Sequence, residues 1–293
     1  MISTPLPLAI DGLVSFWDFQ EAPGVVRLSR GPGAYELLDH GGSVPVIENA
    51  SGPFGSRAAG FGGGPWLEAA RAESPRLDLH GLEACVSIVA WIKRRRVAEY
   101  AGGCQALAGI WNEHGLRQYC LFLNLQIHGS AEQVGAHISS TGGATPGHKY
   151  CMDAAIGATP VPFDVWQCVA MTYERGEARA YLNGQLDKRG RRNPYYYPGG
   201  IFDGGPSGAN FTVGAVARPA HVDLHDGLPV EVGHVQANLF QSLLGGLAVF
   251  ERALAPKELE VLANLIQPCG ISDFMDGETF HEQPARSQAV FAR

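Results

Sequence analysis

The chain has no excess of positive charge. It carries 22 Lys and Arg against 29 Asp and Glu, a net charge of −7, and only 17% of its residues are charged. General nucleic-acid binders carry a basic face, so no nucleic-acid partner is expected. No run approaches the roughly 18 apolar residues of a membrane span, so no membrane partner is expected either. The opening MISTPLPLAI lacks a basic region and a sustained apolar stretch, and Pro5 and Pro7 interrupt it. As written the protein is expected to be cytoplasmic; a secreted or periplasmic location requires that a leader has been removed. The six cysteines include no C-x-x-C pair, so no structural zinc site is encoded locally. Cys85 and Cys168 fall in strand-like patterns as small buried hydrophobes. Cys104 and Cys120 would pair in an oxidising compartment, although reduced thiols are the expectation. A Gly-x-Ser-x-Gly elbow is missing, and Gly62-Gly63-Gly64 and Gly142-Gly143 open no helix, which argues against triad hydrolysis and phosphate binding.

What is abundant is glycine (38) and proline (19), without a period, in a chain that is 45% hydrophobic. That composition suits an all-β protein with many turns and long loops, and it supplies ample core. Residues 166–185, WQCVAMTYERGEARAYLNGQ, carry the clearest local signal. VAMTY alternates as a strand with one buried face, ERGE supplies a tight turn, and ARAYL resumes the alternation. Asn183-Gly184 is a strong signal for a following hairpin turn. Antiparallel pairing is expected there and parallel α/β architecture is excluded.

The same stretch resembles the laminin-G-like members of the concanavalin A-like lectin and glucanase superfamily: a tryptophan, an apolar strand ending in Thr-Tyr, a turn, and a strand closing in Leu-Asn-Gly. Further segments resemble the family in order: LVSFWDF (13–19), AGFGGGPWLE (59–68), CVSIVAWIK (85–93), FTVGA (211–215) and GGLAVFERALAPKELEVL (245–262). The resemblance covers residues 13–265. It implies a two-sheet antiparallel jelly-roll sandwich, here with long loops and one short C-terminal helix, and saccharide or protein recognition rather than one reaction. A single domain over residues 1–267 is expected, followed by a tail, 268–293.

Strand patterns are also expected at 105–111, 119–127 and 134–139, with fragments near Tyr35–Leu38 and Val44–Ile47. Three excursions lie between them: one running from Ser139 to Trp166, one over 188–210, and one over 218–238 that is rich in His, Asp and Gly. Ala255-Pro256 starts the helix, with Leu259, Leu262, Ala263 and Ile266 on one face. Long loops bearing aromatics and histidines on a rigid sandwich form a natural binding platform.

Several groups are candidates for the chemistry. Tyr195-Tyr196-Tyr197, between Asn193-Pro194 and Pro198-Gly199-Gly200, cannot all enter one core; they either pack over the sandwich edge or offer a sugar-stacking surface beside Arg192. Trp111, Asn112, Glu113 and His114 occupy a turn. His114, His128, His137 and His148 lie close in sequence, and the alternation Ala136-His137-Ile138 puts His137 on a sheet face. His137 or His148 as base, with Tyr150 or Tyr195 as acid, would equip β-elimination on a uronate-containing glycan. Gln126-Ile127-His128 resembles a motif of jelly-roll alginate lyases, whose other segments are lacking. Any one of these histidines is more often a satisfied structural residue than a base. The closely spaced acids of the laminarinase branch are also missing, which disfavours retaining glycosidase chemistry. Two acids that calcium-binding relatives use are replaced, at Phe61-Gly62-Gly63 and Gly246-Leu247-Ala248. Ca2+ therefore rests on Asp18 and Glu21, Asp203, or Asp223 and Asp226, with no spacing that demands it. Two basic runs, Lys93–Arg96 and Lys188-Arg189 with Arg191-Arg192, are either solvated or meet an anionic glycan. Recognition of a polysaccharide or oligosaccharide is the leading expectation, with a polysaccharide lyase and a protein-interaction domain as alternatives.

Overall fold

A computed structural model describes residues 6–96, 103–225 and 228–266, with backbone alone for 219–234. The expected tail 268–293 and Cys269 lie outside the described residues, as do Asp226 and the side chains of His221, Asp223, His225 and His234.

The described residues form two antiparallel sheets and one short α-helix. The nine-stranded sheet runs in the order Gln185–Leu186, Glu177–Leu182, Trp166–Glu174, Val86–Arg94, Ser242–Phe250, Ala58–Gly60, Val46–Ile47. Leu13–Trp17 joins it on Ser242–Phe250, and Tyr195–Tyr196 on Glu177–Leu182. The ten-stranded sheet runs Ala154–Ile156, Val134–Ile138, Leu116–Leu123, Gln105–Asn112, Phe211–Val213, Trp66–Ala69, Glu36–His40, Arg27–Leu28. A hairpin, Val216–His225 with Leu228–Ala237, attaches to Gln105–Asn112. That attachment, Ala217 beside Asn112, is parallel; the other strand pairs are antiparallel.

The expected hairpins form for the expected reason. Asn183 and Gly184 take φ of 50° and 78°, and Arg175 and Gly176 take 47° and 76°. Left-handed pairs of this kind match the twist of the strands they join. Alternation then sorts the side chains. Val169, Met171 and Tyr173 enter the core between the sheets, while Cys168 and Ala170 point to the opposite face. In the other sheet Tyr119, Leu121 and Leu123 enter that core, and Cys120 and Phe122 point outward. Each large apolar side chain fully buried this way contributes about 1.5–3 kcal/mol.

The helix, Pro256–Ala263, closes the outer face of the nine-stranded sheet. Leu259, Leu262 and Ala263 pack on Trp91, Ala170 and Phe250, and Trp91 Nε1 donates to Leu262 O at 3.0 Å. Its start is fixed by Glu258, whose carboxylate accepts from Ala255 N at 2.8 Å and pairs with Arg252 at 2.5 Å. The Arg252 guanidinium in turn holds the Glu258 carboxyl below its usual range.

Two expectations need correction. The strand expected over 119–127 stops at Leu123, because Asn124, Gln126 and His128 adopt left-handed φ of 57°, 56° and 53°. Gln126-Ile127-His128 is therefore a looping segment and not a strand motif. The excursion 218–238 is in fact most of a hairpin of two ten-residue strands. Val222 and Leu224, then Leu228, Val230 and Val232, carry an alternation that the interspersed His and Asp residues obscure.

Candidate functional site

The two outer faces differ in how they are covered. Outside the ten-stranded sheet, Ala106, Trp111, Phe122, Ala154 and Ile156 form an apolar layer. Among the described residues no helix lies on this layer. It is met instead by Leu125 and Ile127 from the looping segment, by Cys151, and by Val216 and Ala237 at the base of the long hairpin. These connections leave a cavity of about 260 Å3. Trp111, Phe122 and His137 form its floor, and Tyr150, Glu113, Arg218 and Asn238 stand on its walls.

The floor is tightly built. The His137 ring lies 4.7 Å from the Trp111 ring and 5.1 Å, edge to face, from Phe122. His137 is 5% exposed, and its Nδ1 lies 3.0 Å from Asp153 O, a carbonyl that only accepts. Nδ1 thus carries the proton and Nε2 is left as an acceptor. Burial pushes the imidazole pKa down to about 4, and the nearby Arg117 charge adds to the shift. His137 is accordingly neutral at pH 7.

Asp153 ties this floor to the tyrosine loop. Its carboxylate accepts from Tyr195 Oη at 2.8 Å and from Thr145 Oγ1 at 2.6 Å. Burial and the bond to Asp153 push the Tyr195 phenol up to about 12. Tyr195 and Tyr197 pack against the inter-sheet core, and Tyr197 Oη lies 2.8 Å from Ser140 Oγ. Tyr196 alone of the three is open, at 72% exposure.

Of the residues singled out from sequence, the cavity gathers Trp111, Glu113, His137 and Tyr150. The others lie elsewhere. Asn112 Oδ1 accepts from His114 N at 2.9 Å and shapes the turn. His148 is exposed in the loop before Tyr150, where its N–H donates to Thr145 O at 2.9 Å. Asn193 is fully buried and structural: its amide donates to Ala180 O at 2.7 Å and Asp187 O at 2.6 Å. The Arg192 guanidinium stands 5.6 Å from the Tyr195 ring, outside the cavity.

The basic runs divide: Arg96, Lys188 and Arg191 are exposed, whereas Arg94 and Arg189 are engaged within the protein. Arg94 is 1% exposed, donates to Val161 O at 2.6 Å, and stacks 3.8 Å over Phe163. Arg189 clamps loops, donating to Gly129 O at 2.9 Å and His128 O at 3.2 Å. Neither presents its charge for a glycan.

Sequence reading missed Cys104, Phe122, Leu125, Arg218 and Asn238, which also line the cavity. Phe122 had a usable signal: it alternates with Leu121 and Leu123 and so must face away from the core. Of the acids considered for calcium, Asp18 pairs with Arg30 at 2.9 Å. Asp203 has a ligand atom within 4.8 Å of Asp78 and His80. Asp78 is already committed to Arg71 and to Gln118, the latter at 2.9 Å. The thiols on this face are quiet. Burial raises the Cys104 and Cys120 pKa values and pushes Cys151 to about 11, so none is a nucleophile at neutral pH.

No family model matches the sequence, and neither does any curated protein. Solved structures do. Domain 4 of AbnA, a GH43 extracellular arabinanase from Geobacillus stearothermophilus, in complex with arabinotriose, is 17% identical with a TM-score of 0.51; the match covers 86% of this chain and 98% of that one. The binding domain of Paraclostridial Mosquitocidal Protein 1 is 12% identical with a TM-score of 0.53, over 88% of this chain and 52% of that one. The binding domain of botulinum neurotoxin DC in complex with SialylT is 11% identical with a TM-score of 0.50, over 88% and 52%. The chain thus spans about half the length of the toxin binding domains. At these identities the likeness is one of fold, and the fold defines the class: a two-sheet β-sandwich, shared with this arabinanase domain and with these two binding domains.

Proposed function

We propose that the protein recognises a polysaccharide or oligosaccharide at the cavity on the outward face of the ten-stranded sheet. The observation that carries this reading is the floor of Trp111, Phe122 and His137 beneath polar walls of Tyr150, Glu113, Arg218 and Asn238. Trp111 and Phe122 are 3% and 1% exposed and close the floor, so the ring offered to the apolar face of a sugar is that of Tyr150, while a few convergent polar groups fix hydroxyls. The neutral His137, with its proton held by Asp153, offers Nε2 as an acceptor for one such hydroxyl. The structural neighbours support the reading, since one is described with arabinotriose and another with SialylT. A place in the laminin-G-like, concanavalin A-like group agrees with the order of the sequence segments. An anionic glycan would find its counter-charge at Arg218 rather than at Arg192.

A lyase is the second reading, favoured by His137 and Tyr150 lining one cavity. Against it, an imidazole titrating near 4 is a weak base, and Tyr195 donates to Asp153 instead of facing the cavity. Calorimetric titration with arabino-, sialylated and uronate oligosaccharides tests the first reading. Saturable binding to at least one is expected, and no binding across the panel would overturn it. Absorbance from an unsaturated uronate product, abolished in His137→Ala, would establish the second.

A further inference from the structure

Beside the aromatic cavity lies a second depression of about 330 Å3, lined by Gln105, Gln236, Asn238, Gln241 and Arg218. It shares Cys104, Arg218 and Asn238 with the first, so the two adjoin at that wall. Its chemistry is different. Among the described residues it has no aromatic ring and no carboxylate; its polar groups are four carboxamides and one guanidinium, set among Cys104, Ala237 and Leu239. Gln105 is 3% exposed, and its side-chain oxygen and that of Gln236 are buried without a hydrogen-bond donor. Both oxygens lie just beneath the surface of the depression, and a turn of either carboxamide would bring an acceptor to a hydroxyl-bearing ligand. A carboxamide also offers a donor and an acceptor side by side, a match for neighbouring hydroxyls on one sugar ring. Small-ligand sites commonly occupy about 300–1,000 Å3. The aromatic cavity alone falls short of that range, and the adjoining depression falls within it.

We propose that this amide-lined depression is a second sugar subsite. The site then takes an oligosaccharide of at least two consecutive residues: one ring lies over Trp111 and Tyr150, the next lies among Gln105, Gln236 and Gln241, and the linkage passes over Arg218. The inference rests on the glycan reading above and goes beyond it by requiring at least two linked units.

Two chain-length series, arabinose to arabinotetraose and galacturonic acid to tetragalacturonic acid, test it by calorimetry. In the wild type, affinity should rise at least tenfold from one unit to two or three in the series that binds. In Gln236→Ala/Gln241→Ala that rise should fall to threefold or less, with single-unit affinity unchanged. If the double variant does not fold, Gln236→Glu serves instead and should weaken the longer uronates at least tenfold. Affinity that is flat with chain length, or a variant that weakens one unit and three units equally, would overturn the second subsite and leave the aromatic cavity standing. No binding by either series would count against both.

Discussion

The two outer faces of the sandwich use similar materials to different ends. Each has a tryptophan on a central strand: Trp91 on the nine-stranded sheet and Trp111 on the ten-stranded sheet. Trp91 is completely buried beneath the helix and spends its indole N–H on Leu262 O. Trp111 is covered by loop side chains that leave a cavity over it. A helix presents a continuous apolar stripe and seals the layer. Irregular connections with left-handed residues at Asn124, Gln126 and His128 cannot do so. A site therefore arises where the covering element has no regular face.

Truncation on the two faces should separate stability from binding. Trp91→Ala is expected to cost about 3–5 kcal/mol of stability, read by urea unfolding, while glycan affinity per folded molecule stays within twofold. A large fall in affinity would show that the closed face also serves the site.

His137 sharpens the comparison through pH. Its folded pKa of about 4 lies below the ordinary 6.5, so the unfolded chain takes up the proton first as pH falls. Stability should therefore drop between about pH 6.5 and 4, by up to about 3 kcal/mol, with no further loss from this group below 4. His137→Gln should flatten that part of the profile. An unchanged slope would show that the imidazole is not the group responsible.

The smallest expected effect is at the rim. Tyr150 is 47% exposed, and Lys149 Nζ stands 5.2 Å from its ring. Tyr150→Ala should leave stability within about 0.5 kcal/mol and weaken glycan binding roughly tenfold, about 1.4 kcal/mol. The reverse pattern would make Tyr150 a packing residue.

Strand periodicity made most of the sheets legible, because one buried face imposes a period of two. Asn183-Gly184 was legible because few residues tolerate a left-handed pair. His137 could be placed on a face from its neighbours Ala136 and Ile138. The long hairpin was obscured by its histidines and acids, which reduce the apolar contrast on which periodicity depends. Arg218 and Asn238, at its base, were obscured with it. The tyrosine loop left two readings open in the sequence. Three adjacent rings suggest a binding surface, yet Tyr195 and Tyr197 find partners in Asp153 and Ser140 that are remote in sequence. Likewise Arg94 reads as part of a solvated basic run, but Phe163 and Val161 O hold it inside. Partners supplied by distant loops leave no local pattern.

The five tryptophans allow the most direct measurement, since each indole N–H gives its own resonance. Titration with a bound oligosaccharide should shift the Trp111 signal and leave Trp91 in place. A shift at Trp91, or saturation with Trp111 unmoved, would contradict the assignment of the open face as the glycan site.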